Sequence, residues 1–529
     1  MVSLASLVRW LPALGVGVMA LAAARVAMMP GLGYWDTAEL QTVAPVLGTA
    51  HPTGFPTYVL LGWLANLALS PLGEPAFRMN LFAGLCVAVA AAVTVDLVRA
   101  LTRSVALGIL AGLGLAFTEI VWSIGTQAEA HALHLTFIAL LFRALVAWEG
   151  RVRANGIDRG DRYLVAAAAI FGLAVGNHSL TLLLAPAVGL FVLATDLRIV
   201  RRPRLVATCI GTLAIVVVAV FLELPLRAGP FRAALVYGRP ETWDGFWYVV
   251  LAEQFRGSVI GPFTDLPAKA AALLDRSADA FGPLAVLIPL GFIATAFRRP
   301  RYALLSGLAA AITCFFAASY VNAEIERYYL GPVLIAWTWI AIGAGMVATA
   351  IGATIDPAPP MADPGSLSDL DHTRDAGRRP SPRPDPVLAL GLAAALLVPT
   401  ALTLDTRYAA VDRSRDIAAR VWVDLALEAM EPGAVIVSWW SFSTPLWYAQ
   451  HVEERRPDID IIDDRTRLDQ NLGAINDVID ANLPNRPVYV IRVDSEEIIE
   501  LAQRYELDHL LGPDAGALTR VVGRREAGS

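Results

Sequence analysis

Apolar stretches long enough to cross a lipid bilayer recur along almost the whole of this chain, and no other feature restricts its fold as much. A helix needs about 20 apolar residues to span the hydrocarbon. Stretches of this kind fall at residues 4–28, 78–98, 104–124, 130–148, 163–177, 179–196, 205–225, 281–297, 303–320, 330–352 and 387–404, which predicts a polytopic α-helical membrane protein with about eleven spans. Charge is correspondingly scarce. Asp, Glu, Lys and Arg make up 17% of the 529 residues, against about 25% in a soluble protein, and mean hydropathy is +0.54. The first stretch is long, carries Arg9 and Arg25 and lacks a small-residue cleavage site, so it reads as a retained helix and not as a signal peptide.

Arginine gives the orientation. One set of loops carries Arg99 and Arg103; Arg151, Arg153, Arg159 and Arg162; Arg198, Arg201, Arg202 and Arg204; Arg298, Arg299 and Arg301; and Arg374, Arg378, Arg379 and Arg383. These alternate with loops poorer in cations, and the positive-inside rule assigns them, with the amino terminus, to the cytoplasm. The 29–77 loop, the 226–280 loop and everything after about residue 405 then lie outside. Residues 226–280 hold five arginines of their own, so their placement follows from the alternation alone. The division expected is a membrane domain over 1–352, a linker at 353–386, a last span at 387–404 and an extracytoplasmic domain at 405–529. The linker is rich in Pro, Asp and Arg and includes His372; it reads as disordered. In the tail, AVIVS (434–438), IDIID (459–463) and PVYVI (487–491) alternate with helical stretches, the rhythm of a small α/β domain with a parallel sheet.

Several functions are disfavoured. A net charge of −6 argues against nucleic acid as a partner, and the tail has no Gly-rich phosphate loop. Cys86, Cys209 and Cys314 lie in apolar runs whose spacing fits neither a zinc site nor a disulfide framework.

The loop after the first span reads YWDTAELQTVAPVLGTAHPTGFPTY, residues 34–58. Asp36 and Glu39 stand three residues apart. On spacing alone this pattern favours a capping box at a helix start. The context favours chemistry. Residues 36–48 and 56–70 are too short or too broken to span, and HPTGFP joins them as a rigid turn. They read as two interfacial helices with one apolar face. A carboxylate at the rim of a lipid-facing cavity could take the proton of an incoming hydroxyl.

WDTAEL; GTAHPTGFPTYVLLG; FRMNLFAGL (77–85); QAEAHALH (127–134); GLAVGNHSLTLLL (172–184); IERYYLGP (325–332); WWSFSTPLWYAQHVEERRPDIDIID (439–463); and NRPVYVI (485–491) together resemble the GT-C superfamily of membrane glycosyltransferases. Within it they are most similar to the bacterial relatives of the animal transmembrane protein O-mannosyltransferase that acts on plexin-type receptors. The pattern departs at Thr53, where the family has a second proline, at Phe55, where tyrosine is usual, and at WWSFST, where an acidic, Asn-rich turn is common.

The resemblance implies an inverting transferase that uses a polyprenyl-phosphate hexose, with mannose favoured, and a protein Ser/Thr or glycolipid acceptor. Asp36 would be the base, and Glu39 would orient acceptor or sugar. His51 is either a turn histidine bonded to backbone or a donor to the substrate. Asn177 and His178 either satisfy backbone at helix ends or line the pocket. Glu129, His131 and His134 read as a polar lining for the sugar. Glu129 and His131 are too close in sequence to share a helix face, and a divalent-metal site there is conceivable but not favoured. Arg327 would bind the departing phosphate, or else form a salt bridge to Glu324 or Glu326. Tyr328 is a further candidate for binding the donor phosphate or sugar, although it and Tyr329 sit where interface anchors are common. Trp243, Trp247, Trp439, Trp440 and Trp447 are candidates for stacking on sugar. Two other classes fit less well: a transporter or flippase of lipid-linked sugars, which would show related halves, and a non-catalytic scaffold.

Overall fold

The computed structural model describes residues 4–155, 160–322, 324–355, 383–492, 495–511 and 518–525. Among these, seven helices are long and apolar enough to cross a membrane: Val8–Ala27, Pro75–Thr102, Ala130–Ala154, Pro203–Ala228, Leu266–Arg298, Pro300–Ala317 and Ile325–Ile355. An eighth arises if Pro386–Leu402 and Leu404–Val411, bent by 50°, count as one. The chain is a multi-pass membrane protein. The expected number was higher because three apolar stretches fold short. Residues 104–124 break into Val105–Ala116 and Glu119–Ser123, residues 179–196 open as the 3-10 turn Ser179–Leu184, and 163–177 is a helix of 17 residues, Asp161–Asn177. Most of the expected linker, residues 356–382 with His372, lies outside the described residues.

Side chains explain the packing. Thr118, at the break after Val105–Ala116, turns its hydroxyl back to the Gly114 carbonyl (2.8 Å) and accepts the Trp337 indole N–H (2.9 Å). Gly114 leaves the space the Trp337 ring fills; a Cβ there would lie 2.5 Å from it. At the other end of the bundle, buried Asp96 pairs with Arg99 on its own helix and with Arg143 on Ala130–Asn155. Arg99 also donates to the Arg9 carbonyl, so one carboxylate ties three helices. Pro203–Phe221 is the opposite case. Ile210, Ile215 and Val218 are exposed, an apolar face that only lipid would cover.

The loop helices are Trp35–Val46 and Pro56–Ala68. The first is not interfacial: Thr37 to Ala44 are all buried, because the tail domain packs over it. Leu32, Ala38 and Ala76 share one core with Trp422, Val423, Leu446 and Tyr448 of the tail. The Tyr448 hydroxyl accepts the Ala76 N–H (3.0 Å), and the Tyr34 hydroxyl donates to the Ala418 carbonyl (3.2 Å).

The tail sheet has five strands: β1 Val435–Ser438, β2 Asp460–Asp463, β3 Val488–Val490, β4 Tyr505–His509 and β5 Thr519–Arg524, in the order β2-β1-β3-β5-β4. β2, β1 and β3 are parallel, with Ile436 opposite Ile461 and Tyr489. β5 and β4 are antiparallel, so the sheet is mixed and not parallel as expected. The two added strands are polar and half-exposed, which hid them from an apolar-run reading.

Candidate active site

Trp35–Val46 starts on Tyr34, so Asp36 and Glu39 are its second and fifth residues. That register rules out the capping box, which needs the acid three residues after the cap. Asp36 opens into a cavity of about 620 Å³, and its side chain is 41% exposed. Glu39, one turn on, is buried. Both its oxygens serve His51: Oε1 accepts the backbone N–H (2.7 Å) and Oε2 pairs with Nδ1. The connector makes this possible. Gly54 sits at φ +80° and closes the turn on the His51 carbonyl (2.7 Å), which folds His51 back over the helix. His51 Nε2 then lies 3.9 Å from Asp36 Oδ2. Burial opposes a charge on His51, but the Glu39 and Asp36 carboxylates outweigh it and push its pKa up to about 9. Burial pushes the Glu39 pKa up as well, against the pull of His51.

The remaining contact to Asp36 comes from the far end of the chain. The Trp440 indole N–H donates to Asp36 Oδ1 (3.1 Å). Trp440 packs edge-on against His51, Tyr237 and Trp447. Of the five tryptophans singled out in the sequence, it alone lines the cavity. Trp447 is buried behind it, while Trp243 and Trp247 are exposed and pack on each other.

On the facing wall, Arg327 holds Glu129 through Nη1 (2.7 Å) and Glu324 through Nη2 (2.6 Å). Glu326 pairs instead with Arg276. Glu129 precedes helix Ala130–Asn155 and is not part of it, so it bends back to accept from the His131 backbone N–H (3.1 Å) and meets His131 Nδ1 (2.8 Å). The two do meet, against the helix-face expectation. Burial would raise the Glu129 pKa, but Arg327 and His131 overcome it and hold the carboxyl down at about 2. His131, His178 and Tyr328 complete the wall, with the two imidazoles 4.7 Å apart and Tyr328 within 6 Å of both. The His178 Nδ1 accepts the Leu180 N–H (3.1 Å).

Two expected residues stand elsewhere. Asn177 is buried outside the cavity lining, and its Nδ2 donates to the Ala130 carbonyl (3.1 Å) at the start of the neighbouring helix. His134 faces Thr181 (3.4 Å) in a smaller hollow. Glu129, His131 and His134 are therefore not gathered as metal ligands. Among the described residues the group that offers three ligand atoms within 4.8 Å of one another is Asp36, Glu39 and His51. Its Glu39 oxygens are already taken by His51. Arg256 is a cavity residue that the sequence did not single out; it is exposed and paired with Glu253 (2.9 Å).

Residues 36–200 match the family described as the Protein O-mannosyl-transferase TMEM260 N-terminal domain, a stretch that holds Asp36, Glu39, His51, Glu129 and His178. The mouse Protein O-mannosyl-transferase TMEM260 is 31% identical over 225 residues, 42% of this chain and 31% of that protein. The Dictyostelium discoideum counterpart is 25% identical over 169 residues, 30% of this chain and 20% of that one. The match thus spans less than a third of either relative. Among solved structures, ArnT from Cupriavidus metallidurans bound to undecaprenyl phosphate superposes with a TM-score of 0.57 at 14% identity, over 96% of this chain and 97% of that one. The archaeal oligosaccharyltransferase AglB from Archaeoglobus fulgidus, in complex with an inhibitory peptide and a dolichol-phosphate, gives 0.50 at 13% identity, over 97% and 74%. The motif resemblance read from the sequence is borne out, and the fold is of the GT-C type with a small sheet domain.

Proposed function

We propose that this chain is an inverting glycosyltransferase that moves a hexose, mannose by the resemblance, from a polyprenyl phosphate to a hydroxyl acceptor at the outer membrane face. Loop and tail would lie outside and the amino terminus in the cytoplasm. The observation that carries this reading is Asp36, a carboxylate open to the cavity and clamped between the Trp440 N–H and the His51 cation.

In the reaction, the acceptor hydroxyl gives its proton to Asp36 as its oxygen bonds to the anomeric carbon. The bond from that carbon to the phosphate oxygen breaks, and the electron pair leaves with the phosphate. One base suffices, since no covalent sugar–enzyme bond forms. Glu39 acts through His51, which it holds beside Asp36. His131, His178 and Tyr328 supply the polar and aromatic wall against which a sugar would rest. The departing phosphate needs a cation. Arg327 Nη1 is fixed on buried Glu129, but the Glu324 on Nη2 is 58% exposed and can be displaced by a phosphate oxygen. Arg256 offers a second guanidinium from the rim.

Membranes bearing wild type or Asp36→Asn, supplied with radiolabelled polyprenyl-phosphate mannose, test the reading. Label should leave the lipid phase only with wild type, while both proteins remain folded. Equal rates would refute the assignment of the base.

A further inference from the structure

At the end of the bundle away from Asp36, a cavity of about 600 Å³ opens between the starts of Asp161–Asn177 and Pro203–Phe221. The first of these helices ends beside His178 of the active-site wall, so its 17 residues, about 25 Å of helix, separate the two places. Four guanidiniums line the cavity, Arg162, Arg201, Arg202 and Arg204, against one carboxylate, Asp161. Arg202 takes that carboxylate with both Nη atoms (3.0 Å from Nη1), which ties the two helix starts together. Arg162 lies over the Tyr163 ring. Arg201 and Arg204 are exposed and have no ion pair among the described residues. Other arginines at this end are engaged: Arg99 and Arg143 share Asp96, Arg153 and Arg301 share Glu149, and Arg299 donates to the Leu101 carbonyl.

We propose that this cavity binds the headgroup of an anionic phospholipid from the adjoining leaflet, the cytoplasmic one by the arginine-based topology. The inference stands apart from the glycosyl-transfer reading, since none of these residues lines the first cavity. Three observations carry it. The lining has three positive charges in excess, all on guanidiniums, which bind phosphate oxygens in pairs and keep their charge at membrane depth. Basic pockets between spans are seats for such headgroups. The floor, by contrast, is apolar, made by Val165 and Leu205. Finally, the cavity runs into the lipid-facing surface. Arg204, Thr208, Gly211, Ile215 and Val218 recur at three- and four-residue spacing, so they share one face of Pro203–Phe221. Arg204 and Thr208 line the cavity, a Cβ at Gly211 would meet nothing within 4 Å, and Ile215 and Val218 are 70% and 64% exposed. From Arg204 to Val218 this stripe runs about 20 Å, longer than the ~15 Å of hydrocarbon in one leaflet. Cations at one end, an open gap and then branched aliphatics match a phosphate, a glycerol backbone and acyl chains in order. A soluble phosphate would use only the first of these.

The test uses the purified full chain in detergent micelles containing phosphatidylglycerol or phosphatidylcholine, with native mass spectrometry to count retained lipid. Arg201→Gln combined with Arg204→Gln removes two exposed charges from the cavity. Arg9→Gln combined with Arg198→Gln removes two exposed charges at the same end but outside it, and serves as the control. Wild type should retain phosphatidylglycerol in preference to phosphatidylcholine. The cavity variant should bind phosphatidylglycerol about 10- to 30-fold more weakly, the effect of two basic residues lost from a headgroup site. The control should stay within about twofold of wild type, because exposed charges away from the headgroup are screened. Equal retention of the two lipids by wild type overturns the proposal, as does unchanged binding in the cavity variant. Equal weakening in both variants overturns it too, because general charge and not the cavity would then hold the lipid. Displacement of phosphatidylglycerol by equimolar sodium phosphate would assign the cavity to a free anion and overturn the lipid.

Discussion

Replacing Glu129 by Gln should expose how the wall opposite Asp36 is held. The Glu129 and Arg327 side chains are 3% and 13% exposed and 2.7 Å apart. The carboxyl is held at about 2 against an ordinary 4.5. At about 1.4 kcal/mol per unit, that lowering corresponds to about 3 kcal/mol of stability at neutral pH. Removal of one partner from a buried pair costs a similar amount, about 3–5 kcal/mol. Arg327→Met should cost less, because Glu129 keeps His131. The double variant leaves neither charge stranded, so the two losses should fall short of additive by at least about 1.5 kcal/mol. The pH dependence has a definite sign. The folded pKa lies below the unfolded one, so the contribution is complete above about 4.5 and is lost as pH falls through about 2. The gap between wild type and Glu129→Gln should therefore shrink by more than half between pH 7 and pH 3. Reversible unfolding of the purified protein in mixed detergent micelles, for all four proteins at both pH values, measures each quantity. Additivity within about 0.5 kcal/mol, or a gap that does not change with pH, would refute the pairing.

Three further outcomes can be checked on the same preparations. Trp440→Phe keeps the ring packing but removes the N–H on Asp36; a hydrogen bond to a charged group is worth about 1.5–3 kcal/mol, so kcat should fall about 10- to 100-fold, and an unchanged kcat would sink the clamp. The raised His51 pKa means that the stability its charge contributes is lost as pH rises from about 6.5 through about 9; His51→Gln should remove this alkaline inflection from the unfolding curve, and its persistence would count against the contact with Glu39 and Asp36. Glu324→Gln frees Arg327 Nη2 of a competing charge, so KM for the lipid donor should drop several-fold at constant kcat; a rise would show that Glu324 assists binding.

The sequence made the membrane architecture, the loop helices and the Asp36–Glu39 pair legible, because apolar length and local acid spacing are one-dimensional properties. It did not disclose what the pair does. Glu39 was expected to orient acceptor or sugar, but both its oxygens are taken as the buried anchor of His51, since the fold of HPTGFP decides which nitrogen meets which oxygen. Arg327 was visible, but the identity of its main partner, Glu129, 198 residues upstream, was not. Glu129 and His131 were set apart by helix periodicity, a rule that lapses when one of them precedes the helix. Trp440 lay in a stretch where the family pattern breaks, so its role could only come from contacts across the chain. Arg256 stands in a polar segment without a motif and left no signal at all.

The clamp on Asp36 also bears on when the protein becomes competent. Asp36 is made early and Trp440 some four hundred residues later, after every candidate span. Until the tail settles over the loop, Leu32, Ala38 and Ala76 lack their core partners and the carboxylate lacks its indole. A ribosome stalled anywhere before the tail would leave a membrane-inserted chain with an idle site. The site thus waits on the tail: the carboxylate gains its indole only in molecules whose tail has been made and has settled over the loop.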